Sequence, residues 1–242
     1  MSFNSSFGGR DTEIENIIPE TSMDSNFVAR YIVKVYGWMF LALCLTTVTA
    51  FIVSTTPAIL QLVFSSPFIF IGLFLAQLFL VGFLSFRIQK MSSTTATMIF
   101  LGYSVLTGVT FSTILLAYTS ATLITTFGVT AGTFGVMSAV GYFTKKDLTS
   151  FGRLMFMGLI GIIIASIVNM FLSSPMLYWI ISYVGVAVFV GLIAYDTQKI
   201  KQYAYLTDAE DRKKGAIMGA LALYLDFVNL FLMLLRLFGR RN

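Results

Sequence analysis

GLIAYDTQKIKQYAYLTDAEDRKKGAIMGALALYLDFVNLFLMLLR, residues Gly191–Arg236, is the stretch whose reading decides the fold. It holds an apolar arm with one acid, Asp196, then a polar turn, then a second apolar arm with one acid, Asp226. Neither arm alternates at period two, and each is long enough to cross a ~30 Å hydrocarbon core as a helix. Every other Asp and Glu of the chain lies in the N-terminal stretch Asp11–Asp24, at Asp147 in a polar connection, or in the turn itself. Asp196 and Asp226 are thus the acids that a membrane places in hydrocarbon, where an ionisable side chain points to function.

Composition agrees with a membrane reading. The 242 residues are 57% hydrophobic and only 11% charged, against the roughly 25% charged composition of soluble domains. Mean hydropathy is +0.86. Seven apolar segments follow one another, approximately Ile32–Val53, Phe68–Phe86, Ala96–Tyr118, Ala121–Phe143, Leu154–Leu172, Leu177–Lys199 and Ala216–Phe238. The expected fold is an all-α integral membrane protein, with a flexible polar tail over residues 1–30 and a transmembrane domain over residues 31–242. Asn4-Ser5-Ser6 in the tail matches a glycosylation acceptor, a pattern too short to weigh.

The 16 Lys and Arg, against 11 Asp and Glu, are scattered through short connections, so they read as topology signals and not as a nucleic-acid surface. Thr55–Pro67, Thr119–Ser120 and Ser173–Met176 carry no charge. The alternate connections carry Arg87 and Lys90, then Lys145, Lys146 and Arg153, then Lys199 to Lys214. The positive-inside rule puts these and the N-terminus in the cytoplasm. Seven crossings then put the C-terminus outside, although Arg236, Arg240 and Arg241 favour the inside; a re-entrant last segment is the alternative.

The chain has no histidine, which removes Ser-His-Asp and Cys-His catalysis and His-based zinc sites together. Cys44 is its one cysteine and reads as packing. The expectation is a protein that is not an enzyme and holds no cofactor. An aspartyl intramembrane protease is disfavoured because neither acid has a glycine beside it. Gly128-x-x-x-Gly132 and Gly215-x-x-x-Gly219 are read as places where helix backbones approach closely.

Folded as a hairpin about the polar turn, the two arms bring Asp196 and Asp226 to a common depth, roughly 14 to 16 residues from the turn's centre on each side. Gly219, Ala222, Asp226, Asn229 and Met233 share one stripe of the last segment. Two carboxyl groups in hydrogen-bond range at low dielectric hold one proton between them. Singly protonated, the pair ties two helices; without the proton it repels or takes up a cation. Asp196, Asp226 and Asn229 offer oxygens to a hard cation such as Ca²⁺, with water or backbone carbonyls completing the shell. Arg87, ending the second segment on the same side, either pairs with Asp196 or snorkels to the interface.

Three stretches together resemble the Bax inhibitor family of membrane proteins: Tyr142–Gly152 (YFTKKDLTSFG), Gly191–Ile200 (GLIAYDTQKI) and Leu223–Phe231 (LYLDFVNLF). The resemblance covers nearly the whole chain and suggests a bacterial-type member. It implies seven helices with the last surrounded by the other six, and a pH-dependent Ca²⁺ leak gated by an aspartate pair. By motif the pair is Asp196 and Asp226, and the family's arginine on the second helix falls on Arg87. The turn Gln202–Gly215 is longer than usual for the family, and the basic C-terminus is reduced to Arg240 and Arg241, so death-regulation partners are not carried over.

The expected function is therefore a pH-sensitive calcium leak channel gated by protonation of the Asp196–Asp226 pair, with Arg87 as a third residue of the gate. Its partners are the lipid bilayer, calcium and protons, and its setting is a bacterial inner membrane. A proton-coupled transporter of a small solute and a non-conducting regulator of other membrane proteins are the alternatives.

Overall fold

The computed structural model describes residues 25–239. All regular structure among them is helical: α1 (Ser25–Thr55), α2 (Pro57–Phe64), α3 (Pro67–Arg87), a single 3-10 turn (Ile88–Lys90), α4 (Ser93–Ala117), α5 (Ser120–Phe143), α6 (Thr149–Leu172), α7 (Pro175–Tyr203) and α8 (Ala209–Phe238). All but α2 are long and apolar enough to cross a bilayer, and they match the seven segments of the sequence. The chain is an integral membrane protein built of helices. Helix α2 occupies a connection read as loop; at 8 residues it is too short to cross.

Local chemistry sets the boundaries. Pro57, Pro67 and Pro175 open α2, α3 and α7, where a missing N–H costs nothing. Ser66, Ser92, Thr119 and Ser174 accept backbone N–H groups at the starts of α3, α4, α5 and α7. Ser173, at φ 50°, ends α6, and the Asn169 side chain accepts the next N–H, from Ser174, at 2.9 Å. Helix α1 starts inside the stretch read as tail: Val28 is buried and the Phe27 ring lies 5.8 Å from the Arg212 guanidinium. The remainder of the expected tail, with Asn4-Ser5-Ser6, lies outside the described residues.

Asp208 caps α8, accepting N–H groups from Glu210 at 2.8 Å and Asp211 at 2.9 Å. The hydrogen bonds to Asp211 and Glu210 hold its carboxyl below the ordinary aspartate range. A lowered pKa stabilises the fold above that range, and the contribution fades as pH falls through the lowered value. Asp208→Ala should therefore lower the melting temperature at neutral pH, and the gap to wild type should close below about pH 4. Melting curves over a pH series measure this.

Helix α8 is the most buried of the spanning helices. In its most apolar stretch 67% of residues are buried, against 6% in α3 and in α6. It packs on α1, α4, α5 and α7, while α3 packs on α4 and α6 on α7. The resemblance implies six helices around the last; four are in close contact and two stand one tier out. Helix α8 runs unbroken to Phe238, and the Arg236 guanidinium lies 5.6 Å from the ring of Tyr178 at the start of α7. The last segment therefore traverses the bundle and does not turn back. Arg240 and Arg241 lie outside the described residues.

The close helix approaches fall partly where the sequence places them. Gly219 packs against Ile200 and Gly215 against Tyr203. Gly128 and Gly132, by contrast, face outward with nothing for a Cβ to meet, so that pair joins no helices among the described residues. The buried face of α5 is instead Thr126, Thr130, Phe134, Ser138 and Gly141. A Cβ on Gly141 would run into the backbone carbonyl of Ala194, and one on Gly152 into the ring of Tyr195. Helices α5 and α6 thus grip α7 immediately before Asp196.

Candidate functional site

The hairpin of α7 and α8 brings its two acids together. The carboxyl groups of Asp196 and Asp226 lie within hydrogen-bonding reach of each other. Asp226 is 4% exposed, and its Oδ2 is buried without a hydrogen-bond partner. Asp196 is half-buried.

Anchors on the far faces of the helices set this meeting. Two residues before Asp226, and on the opposite side of α8, the Tyr224 hydroxyl lies 2.7 Å from Thr46 Oγ1, and its ring meets Phe100 and Tyr103 edge-on. A step of two residues turns a helix by about 200°, so locking Tyr224 toward α1 and α4 directs Asp226 toward α7. On α7 the Thr197 Oγ1 lies 3.1 Å from the Tyr36 hydroxyl. The Gln198 amide clasps the α5–α6 connection, accepting from Leu148 N–H at 2.8 Å and donating to the Lys146 carbonyl at 2.8 Å. Lys201 donates to the Tyr142 carbonyl at 2.7 Å. These contacts give the stretch Tyr142–Gly152 its structural meaning: it is the strap that holds the Asp196 end of α7.

The nearest cation to Asp196 is Lys199, one turn along α7. Its ammonium sits 5.8 Å from the centre of the Tyr195 ring and within hydrogen-bonding reach of Tyr203. Arg87 is exposed at the end of α3 and forms no ion pair among the described residues. The structure does not bring it to the acids, because α3 packs on α4 and stands away from α7. Asn229, one turn beyond Asp226, donates Nδ2 to the Leu225 carbonyl at 2.8 Å, which leaves its oxygen for another partner.

Asp196, Asp226, Asn229 and Lys199 all line one cavity of about 1320 Å³, bounded by α3, α4, α6, α7 and α8. Arg153 of α6 lines it as well. The two acids and one amide supply fewer oxygens than the six to eight that Ca²⁺ takes, so they suit a cation in passage with part of its water retained.

Two findings place the chain among known proteins. The family described as "Inhibitor of apoptosis-promoting Bax1" matches residues 28–242. The chain belongs to the Bax inhibitor family. Within it, the chain is 52% identical to the inner membrane protein YbhL of Escherichia coli K12, over 88% of this chain and 92% of YbhL. It is 46% identical to a protein of Borreliella burgdorferi, over 88% and 93% of the two chains, and 43% identical to protein RP147 of Rickettsia prowazekii, over 92% and 95%.

In this Bax inhibitor family member the acids are legible in sequence, whereas Lys199, Arg153 and Tyr224 are not. Lys199 and Arg153 read as topology charges. The spacing of three between Asp196 and Lys199 in DTQK is the signal that they share a helix face.

Proposed function

We propose that the protein is a pH-sensitive calcium leak channel of a bacterial inner membrane, and not an enzyme, gated by protonation of the Asp196–Asp226 pair. The observation that carries this reading is the meeting of two carboxyl groups, from α7 and α8, on the wall of a large cavity inside a membrane-spanning bundle. Family membership and the inner-membrane relative support it. The charged connections between helices support a cytoplasmic N-terminus and, after seven crossings, an external C-terminus.

One proton shared by the pair is a charge-assisted hydrogen bond that ties α7 to α8. Its loss leaves two like charges side by side at low dielectric, which separate or recruit a divalent cation. Calcium is the cargo, held in passing by Asp196, Asp226 and Asn229.

Calcium entry into dye-loaded liposomes, followed from about pH 5 to pH 8, tests the reading. Flux should rise with pH as the shared proton is lost, and Asp196→Asn should flatten the rise. Folded protein that passes no calcium at any pH would end the channel reading and favour solute transport or regulation of other membrane proteins.

A further inference from the structure

We propose that the groove between α3 and α6 holds one anionic phospholipid, with its phosphate at Arg153 and an acyl chain laid along the cavity wall. This site stands apart from calcium passage. Its shape comes from the packing: α3 packs on α4 and α6 on α7, and the two do not pack closely on each other, so the cavity of about 1320 Å³ opens sideways toward the bilayer.

Both lips are apolar. Phe74 and Leu78 of α3 and Phe156, Met157 and Ile163 of α6 line the cavity, and each is more than half exposed. Gln77 also lines it but is turned to α4, where its Nε2 donates to the Leu106 carbonyl and to Thr110 Oγ1, each at 3.3 Å. The backbone polar groups of both lips are satisfied inside their helices, so this wall offers an acyl chain close contact with little to desolvate.

The length of the groove suits one leaflet. On α6 the lining runs from Arg153 to Ile167, about 21 Å at 1.5 Å per residue. One leaflet is half of a ~30 Å hydrocarbon core. A chain that enters beside Arg153 therefore ends within the groove.

Charge is sorted along that length. Arg153 near the start of α6 and Lys199 near the end of α7 line the cavity at the end of the bundle that carries the basic connections. Arg153 is exposed and makes no ion pair among the described residues; its Nη2 donates to Ser150 at 3.3 Å. Asp147, whose field reaches it, is occupied at the start of α6, accepting the N–H and the hydroxyl of Thr149 at 2.8 and 2.6 Å. The acids of the wall do not cancel it. Asp226 is buried and turned to Asp196, and Asp196 has Lys199 beside it. The charge left at the mouth of the groove is the Arg153 guanidinium, a planar fork that meets a phosphate through two parallel hydrogen bonds. Basic residues between spanning helices at this level recruit anionic lipid heads.

The full-length protein, delipidated in detergent, is titrated in native mass spectrometry with phosphatidylglycerol, with phosphatidylcholine of the same chains, and with glycerol 3-phosphate as the head alone. One phosphatidylglycerol should bind saturably and about tenfold more tightly than phosphatidylcholine, and glycerol 3-phosphate should not displace it. Arg153→Gln, at an exposed site where the melting temperature should not change, should bring phosphatidylglycerol down to the phosphatidylcholine level. Ile163→Trp, which fills the groove from its exposed lip, should weaken phosphatidylglycerol severalfold. Lys90→Gln, a basic position at the same end but outside the cavity wall, should leave it unchanged. The proposal is overturned if the two lipids bind equally, if Arg153→Gln or Ile163→Trp binds phosphatidylglycerol as wild type does, if Lys90→Gln costs as much as Arg153→Gln, or if glycerol 3-phosphate competes. A protein that passes calcium but retains no phosphatidylglycerol would overturn this site and leave the calcium reading standing; lipid binding without calcium flux would do the reverse.

Discussion

Asp226→Asn should hold calcium flux at its acid level across the whole range from about pH 5 to pH 8. The reason is geometric. Asp226 is the buried member of the pair, and an amide in its place keeps the shape while presenting a permanent N–H donor to the Asp196 carboxylate. The substitution imitates the singly protonated state, which is the tied state. A hydrogen bond to a charged acceptor is worth about 1.5–3 kcal/mol, so the variant should also melt higher than wild type at alkaline pH. At acid pH, where the wild-type pair already holds its proton, the two should melt alike. Asp196→Asn should act in the same direction more weakly, because Asp196 is half-buried and has Lys199 beside it. Raised flux in Asp226→Asn at neutral pH would show that the pair holds the channel open, and the sign of the latch would be reversed.

The seven spans and the two acids were legible because bilayer thickness and the cost of buried charge act on sequence directly, residue by residue. Helix α2 was hidden because the eight residues between Thr56 and Ser65, apolar but for Gln61, fit a short helix and an uncharged loop equally well. The role of Lys199 was hidden by a second constraint acting at the same position: a basic residue near a helix end satisfies topology whether or not it also faces an acid. Arg87 shows the converse, since the same position in sequence leads here to an exposed helix end. Glycine spacing failed in another way. Helix α5 has small residues around much of its circumference, so Gly128 and Gly132 fit the spacing rule yet face outward, while the single Gly141 makes the contact. Spacing identifies a face; only the partner helix identifies which face is used.

That distinction gives opposite signs for one substitution at two positions on α5. At Gly141 an alanine Cβ would meet the main-chain carbonyl of Ala194, and backbone inside a packed helix pair cannot rotate aside as a side chain can. Relief requires α5 and α7 to separate, at a cost typical of overpacking, about 1–3 kcal/mol or more. Ala194 lies two residues before Asp196, so the shift should also move one carboxyl away from the other and blunt the pH response. At Gly128 the added methyl meets open space, and replacing glycine in a helix gains roughly 0.5–1 kcal/mol. Gly141→Ala should therefore lower the melting temperature of the purified protein and flatten calcium flux against pH. Gly128→Ala should leave flux unchanged and melt as wild type or higher. Equal melting of the two variants would mean that α5 and α7 do not hold their close approach in the bilayer, and the grip on Asp196 would have to come from the Gln198 and Lys201 contacts and from Gly152 against Tyr195.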